Sequence, residues 1–286
     1  MYETTVVGTD LSPEGIDAIR WAAHLTRSNG VVHAVHAVEP PPAYTGAGGM
    51  VVPSLGAMAR LEEEAARTLQ EVVEGLDDAR IRAHTFEGLA AEVLLGLCTD
   101  VHADLLAIAG THRSILDRMM LPSVTRQLLR RQDTALLVAR GRAPDPTIRA
   151  ILLASDLEDH TREAAQVAES IARTNAATLH VVHVEEIRAV ADTSMDEDAL
   201  AGEDAGRRVA DVAATLLAGK AEPHVLYGPV APTLDAFARA NGIDLVVTGT
   251  RRPRGLERLL LGSVAARIAT GVRTSVLAVP GRLPSP

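Results

Sequence analysis

Thr5-Val6-Val7-Gly8-Thr9-Asp10-Leu11 returns 146 residues later as Ile151-Leu152-Leu153-Ala154-Ser155-Asp156-Leu157. Val32-His33-Ala34-Val35-His36 returns 147 residues later as Leu179-His180-Val181-Val182-His183. Further along, the two halves match at an offset of 140: Gly88 with Gly228, Asp104 with Asp244, Leu116 with Leu256, Ser123 with Ser263, Thr134 with Thr274. A change of offset with the order preserved means that a loop differs in length between two copies of one unit. A unit of this length exceeds any solenoid repeat, so each copy is a complete domain. The expected division is residues 1–141, a Pro-rich polar linker at 142–147, and residues 148–286.

Within each copy, short β-branched runs alternate with stretches of helical period. In the first copy the strands are expected at Thr4–Val7, Val31–Val38, Ile81–Phe86, Leu105–Ile108 and Ala135–Ala139. The helices are expected at Pro13–Ser28, about Met58–Glu74, Ala90–Val101 and Ser123–Arg131. The first helix opens on Ser12-Pro13-Glu14, an N-cap serine followed by proline at the first helical position. Alternating strand and helix implies parallel strands joined by right-handed crossovers, with helices on both faces of the sheet. The fold class is therefore α/β: two tandem doubly wound domains, each a five-stranded parallel sheet of order 3-2-1-4-5.

Composition narrows the function. The 286 residues are 47% hydrophobic and 23% charged, enough to build real cores. A formal net charge of −9 argues against a nucleic-acid-binding surface. No run approaches the length of a membrane span, and MYETTVVGTD lacks the basic and apolar regions of a signal peptide, so a cytoplasmic location is expected. The one cysteine, Cys98, lies in the apolar stretch EVLLGLC and reads as a buried, inert thiol. His33 and His36, like His180 and His183, are three apart on strands and point to opposite faces, so these pairs form no chelate and no structural metal is expected. The acidic run Met195-Asp196-Glu197-Asp198 reads as a solvated loop and helix start. Walker A is absent, since the only lysine reads Gly219-Lys220-Ala221, and there is no G-x-S-x-G elbow.

A sheet of order 3-2-1-4-5 has its switch point between the first and fourth strands, and ligands bind outside the carboxyl ends there. In the second copy those ends carry Asp156 and Thr248-Gly249-Thr250. Beyond them a loop with Arg251, Arg252 and Arg254 runs to Gly262-Ser263-Val264 and another helix. Glycine and serine at a helix start offer free N–H groups, a hydroxyl and the positive dipole end, an anion seat. Asp156 can accept hydrogen bonds from a ribose or a base. These features together suggest a nucleotide.

Gly249-x2-Arg252-x9-Gly262-Ser263 resembles the ATP-binding loop of universal stress proteins, G-x2-G-x9-G-S/T, and the strand-end aspartates and the LHVVHV strand match that family too. The resemblance covers both halves almost end to end, which implies a tandem universal stress protein. It implies that Asp156 faces the adenosine, that the main chain of Val184 meets the adenine edge, that Gly249 and Thr250 lie near ribose and phosphate, and that Gly262, Ser263 and Val264 cradle the phosphates of ATP, with Mg as its counterion. Arg252 stands where the family has its second glycine, where it either fills the phosphate pocket or contacts the phosphate. Ala265 replaces a frequent Ser or Thr.

The first copy departs further. Its counterparts are Asp10, Ala37, Gly110 and Ser123. At the constant offset, Ala109, His112 and Pro122 take the glycine positions. A shift by one instead sets Gly110-Thr111 opposite Gly249-Thr250, with a loop one residue short. Proline at 122 lacks an N–H that a phosphate would use. The first copy is thus expected to act as a scaffold. In the family the final strands mediate dimer contacts, which implies self-association through Ala135–Ala139 and Ser275–Val279, within the chain as a pseudo-dimer or between chains as a homodimer.

Three functions compete. One is an ATP-binding stress-response protein with its site in the second copy and an unidentified downstream protein partner. Another is a dimerisation or interaction module of the same family that binds no nucleotide. The third, from fold analogy alone, is an enzyme acting on a nucleotide or acyl-adenylate. With no evident general base, ATP hydrolysis is expected to be slow at most.

Overall fold

In the computed structural model, which describes residues 1–39, 44–46, 49–51, 55–110, 124–125, 127–128, 134–143, 147–158, 161–186, 195–250 and 263–281, strand and helix alternate through both halves. The first half runs β1 (Tyr2–Gly8), α1 (Pro13–Leu25), β2 (Thr26–Val38), a small hairpin of β3 (Tyr44–Gly46) and β4 (Gly49–Val51), α2 (Leu55–Gly75), β5 (Ile81–Glu87), α3 (Ala90–Asp100), β6 (Leu105–Ala109) and β7 (Ala135–Ala139). The second half runs β8 (Ala150–Ala154), α4 (Arg162–Asn175), β9 (Thr178–Glu185), α5 (Met195–Thr215), β10 (Glu222–Tyr227), α6 (Val230–Ala240), β11 (Leu245–Thr250), α7 (Ser263–Gly271) and β12 (Ser275–Pro280). Most of the helix expected at Ser123–Arg131, and Pro144-Asp145-Pro146 of the linker, lie outside the described residues.

The two halves share one ten-stranded sheet of order β10-β9-β8-β11-β12-β7-β6-β1-β2-β5. Each half is parallel throughout and has the 3-2-1-4-5 order. The halves meet at β12 and β7, which pair antiparallel in the register Val276↔Val138, Leu277↔Leu137, Ala278↔Leu136. The central strands ALLVA of β7 and AILLA of β8 are buried at every residue, as strands covered on both faces must be. One core packs α1, α2, α4 and α5 on one face; the other packs α3, α6 and α7 on the opposite face. Each fully buried leucine in them contributes about 1.5–3 kcal/mol of burial free energy.

Local chemistry explains the helix ends. The Ser12 side chain accepts from the Gly15 N–H at 3.1 Å and Pro13 occupies the first turn, so α1 begins where the sequence places it. It ends three residues earlier than the expected Ser28. Thr26 turns extended, its hydroxyl donating to the Ala22 carbonyl at 2.7 Å and meeting Thr5 Oγ1 at 2.7 Å. A β-branched residue with a buried hydroxyl partner on the neighbouring strand belongs to the sheet, and β2 starts there. In the second half α4 ends instead on Ala176 in the left-handed conformation, φ 54°. Cys98 is buried, and burial pushes its thiol up to about 12, which leaves no nucleophile. Among the described residues no helix is long and apolar enough to cross a membrane.

Candidate functional site

At the carboxyl end of β8 the chain turns away from the sheet through a fixed loop. Ser155 N–H donates to the Val182 carbonyl at 3.0 Å, the last bond of the β8–β9 ladder. The next residue, Asp156, is exposed, and its Oδ1 accepts from the Glu158 N–H at 3.2 Å and the Thr161 hydroxyl at 2.9 Å. Leu157 sits in the left-handed region at φ 62°, its N–H held by Ser155 Oγ at 3.0 Å. A leucine in that region is a genuine outlier, and strain of this kind collects at ligand sites. The first half repeats the device: Leu11 has φ 62°, its N–H meets Thr9 Oγ1 at 3.1 Å, and Asp10 Oδ1 accepts from the Ser12 N–H at 3.1 Å.

The loop is also propped from β9. His183 Nδ1 lies 2.8 Å from the Ser155 carbonyl, which can only accept, so that nitrogen donates. Its Nε2 lies 3.1 Å from Glu185 Oε1. His36 makes the same bond to the Thr9 carbonyl at 2.9 Å. The residues marking this end of the sheet in the sequence are Asp156, Val184 and Thr248-Gly249-Thr250, and these histidines read there only as pairs that form no chelate. Their recurrence at one position in both copies was the available signal for a supporting role.

β9 outlasts its neighbour. In a parallel ladder alternate residues bond to alternate sides. Val182 bonds toward β8, so Val184, two residues on, also turns its N–H and C=O to that side, where β8 has already ended at Ala154. Glu185, of the other parity, bonds to Gly228 on the β10 side at 3.0 Å. An amide edge therefore faces the space above Asp156. Across that space β11 continues past its β8 partner: Thr248 pairs with Ala154, whereas Gly249 and Thr250 pair only with Val279 and Pro280 of β12. α7 begins at Ser263, and its Arg267 reaches Glu186, just beyond β9, at 3.0 Å. The middle of α7 is thus tied to the end of β9. Val264, in its first turn, is exposed.

The structure accordingly brings Asp156, Val184, Gly249 and Thr250 to the switch point, with the helix bearing Ser263 and Val264 tied alongside. Arg252 and Gly262 lie outside the described residues, as does Ser123 of the first half. In that half Asp10 and Ala37 hold the places of Asp156 and Val184. Strand register decides between the two alignments of its loop: Ala109 pairs with Ala139 as Gly249 pairs with Val279, so Ala109 matches Gly249 at an offset of 140. Gly110 follows, its N–H bonded to the Ala139 carbonyl at 2.7 Å. A Cβ on Gly110 would meet Arg140 and Val138 side-chain atoms at 2.8 Å, so close packing accounts for that glycine.

Residues 1–140 and 147–280 each match the sequence model of the Universal stress protein family. Universal stress protein A homolog 1 of Coxiella burnetii is 32% identical over 136 residues, 45% of this chain and 94% of that protein. A universal stress protein from Archaeoglobus fulgidus shares the fold with a TM-score of 0.65 at 16% identity, over 97% of this chain and 96% of that one. A universal stress protein solved in complex with cAMP matches 48% of this chain and 96% of its own, at 22% identity and a TM-score of 0.36.

Proposed function

The chain belongs to the universal stress protein family, one copy in each half, and we propose that its second domain binds an adenine nucleotide, ATP with Mg, in the course of a stress response. The observation that carries this reading is the amide edge of Val184 beside Asp156, open among the described residues, at the place where β9 and β11 both outrun β8. An adenine needs a donor and an acceptor side by side, and a peptide edge supplies both. Asp156 supplies acceptors for a ribose. The N–H groups and dipole of α7 favour the phosphates, with Gly249 and Thr250 between. Arg252 and Gly262 belong to this reading by the loop pattern. The first domain, with Ala109 for Gly249 and Pro122 for Gly262, serves as the scaffold onto which the second is built.

The test is calorimetric titration of the nucleotide-stripped chain with MgATP. One site per chain is expected, and Gly262→Asp, which sets a carboxylate in the phosphate loop, should weaken binding more than tenfold. Unchanged affinity in that variant overturns the assignment to the second domain, and two sites per chain would bring Asp10 and Ala37 into play. No heat, confirmed by equilibrium dialysis, would favour an interaction module that binds no nucleotide. Loss of ATP during hours of incubation would favour an enzyme.

A further inference from the structure

At the other end of the second half's sheet, near the amino ends of β9 and β10, three side chains converge. His180 of β9 stands directly opposite Glu222 in the parallel ladder, and His224 follows Glu222 by two residues and so shares its face. His180 Nδ1 lies 3.2 Å from His224 Nε2 and 3.2 Å from Glu222 Oε2. The third side of the triangle, Glu222 Oε2 to His224 Nε2, is 3.9 Å. His180 is 8% exposed. Phe237 of α6 walls the site, its ring 5.7 Å from that of His180 and 4.8 Å from that of His224. Glu222 lies on the open, solvent side.

We propose that His180, Glu222 and His224 form a binding site for a divalent late first-row metal ion, with zinc the best fit. A triangle with these sides has a point about 2.0 Å from all three atoms, the Zn–N and Zn–O bond length, and closing its 3.9 Å side by about 0.6 Å through a turn of the half-exposed Glu222 side chain makes the three ligands tetrahedral. Two imidazoles and one carboxylate suit zinc, and suit copper or nickel in competition with it. Mg²⁺ and Ca²⁺ ask instead for six or more oxygens. Three protein ligands leave a fourth position for water from the Glu222 side. Hydrogen bonding alone fits the geometry less well. A proton shared between His180 Nδ1 and His224 Nε2 does not also bind the Glu222 carboxylate, which is then left to solvent. A metal ion satisfies all three at once.

The first half supplies an internal comparison. His33 and His84 occupy the same two strand positions with Nδ1 and Nε2 2.9 Å apart, but the residue opposite His33 is Arg82. A guanidinium stands where the second half has its carboxylate, so the pair remains a hydrogen bond. Among the described residues, only the second-half set brings three His, Cys, Asp or Glu donor atoms within 4.8 Å of one another. The site is independent of the proposed nucleotide. Four residue steps along β9, about 13 Å of strand, separate His180 from Val184. Its direct effect is to clip β10, at the end of the sheet, to β9.

The experiment uses the full chain, tag removed, dialysed against chelator and free of nucleotide, titrated with ZnCl2 by calorimetry and with Co²⁺ by visible absorption. One equivalent of zinc per chain is expected, with the d–d bands of four-coordinate Co²⁺. Glu222→Gln, at a half-exposed position that tolerates the change, and His224→Ala should each weaken zinc binding at least tenfold. His84→Ala in the first half should leave it unchanged. Absence of stoichiometric binding at micromolar zinc overturns the proposal, and so does binding that survives both Glu222→Gln and His224→Ala.

Discussion

Thr5 and Thr26 form a buried hydroxyl pair whose direction the surroundings fix. Thr26 Oγ1 gives its proton to the Ala22 carbonyl, so Thr5 must donate to Thr26. The two single substitutions are therefore unequal. Thr26→Val strands the Thr5 proton in the core and should destabilise the protein by about 1–3 kcal/mol, whereas Thr5→Val leaves Thr26 its carbonyl and should cost less than about 1 kcal/mol. The double variant should recover part of the loss, as the second copy suggests by placing Ile151 where the first has Thr5. Trp21, the single tryptophan and buried in the same core, reports the urea midpoint by fluorescence. Equal losses from the two single variants would refute the assigned direction. His33 and His84 offer a pH test with the same reporter. Burial holds both below the ordinary imidazole value of 6.5, aided for His33 by His84 and Arg82 and for His84 by Arg82. The unfolded chain then binds more protons than the folded one once the pH drops below that value. Their contribution is present above the ordinary imidazole value and is lost as the pH falls below it, through the lowered folded-state values. Arg82→Glu removes a cation, supplies a carboxylate and raises both values, so the midpoint should decline less over that range. A decline as steep as the parent's, or steeper, would show that Arg82 does not help to hold these rings neutral.

At the scale of elements, α1 depends on a cap that α4 lacks. Ser12 Oγ accepts from Gly15, while Thr161 makes no side-chain cap and spends its hydroxyl on Asp156. Ser12→Ala should lower stability by about 1 kcal/mol, read from the denaturant midpoint, with little effect on the second half. The same serine made the start of α1 legible in the sequence, and alternating apolar runs made the strands and their order legible. The end of α1 was not, because what turns Thr26 into the sheet is a hydroxyl partner on another strand, Thr5, invisible to local period. The candidate site divides the same way. Asp156, Val184 and Gly249 sit at strand ends, so locating the strands locates them. His180 and His224 are 44 residues apart and meet only through the β9–β10 register, while spacing along one strand showed His180 and His183 on opposite faces. His183 bonds a backbone carbonyl, an acceptor that every residue carries and no motif announces.

The whole molecule turns on the β7–β12 seam, which makes one sheet of two domains and leaves β10 and β5 at its ends. Next to the seam a partly buried exchange joins the halves: the Arg140 N–H donates to Ser275 Oγ at 2.9 Å, and the Ser275 hydroxyl donates back to the Arg140 carbonyl at 3.0 Å. The Arg140 guanidinium crosses into the second half and donates to the Ala269 carbonyl in the last turn of α7, where the helix dipole favours a cation. Burial brings its pKa down to about 10, against the pull of Asp235, and its Nη1 has no hydrogen-bond partner among the described residues. Two substitutions at this seam should therefore behave differently. Ser275→Ala leaves a backbone donor and an acceptor unpaired inside the protein and should cost about 1–3 kcal/mol, with faster hydrogen exchange at the Arg140 amide. Arg140→Met gives up one carbonyl bond but also removes an incompletely satisfied buried charge while keeping an apolar stem of similar length, so its effect should be the smaller of the two. Chemical denaturation of both variants, with exchange followed at the seam, ranks them. If Arg140→Met proved the more damaging, the guanidinium on α7 rather than the Ser275 bridge would be what holds the halves together, and α7, the helix proposed to receive phosphate, would depend on the first domain for its position.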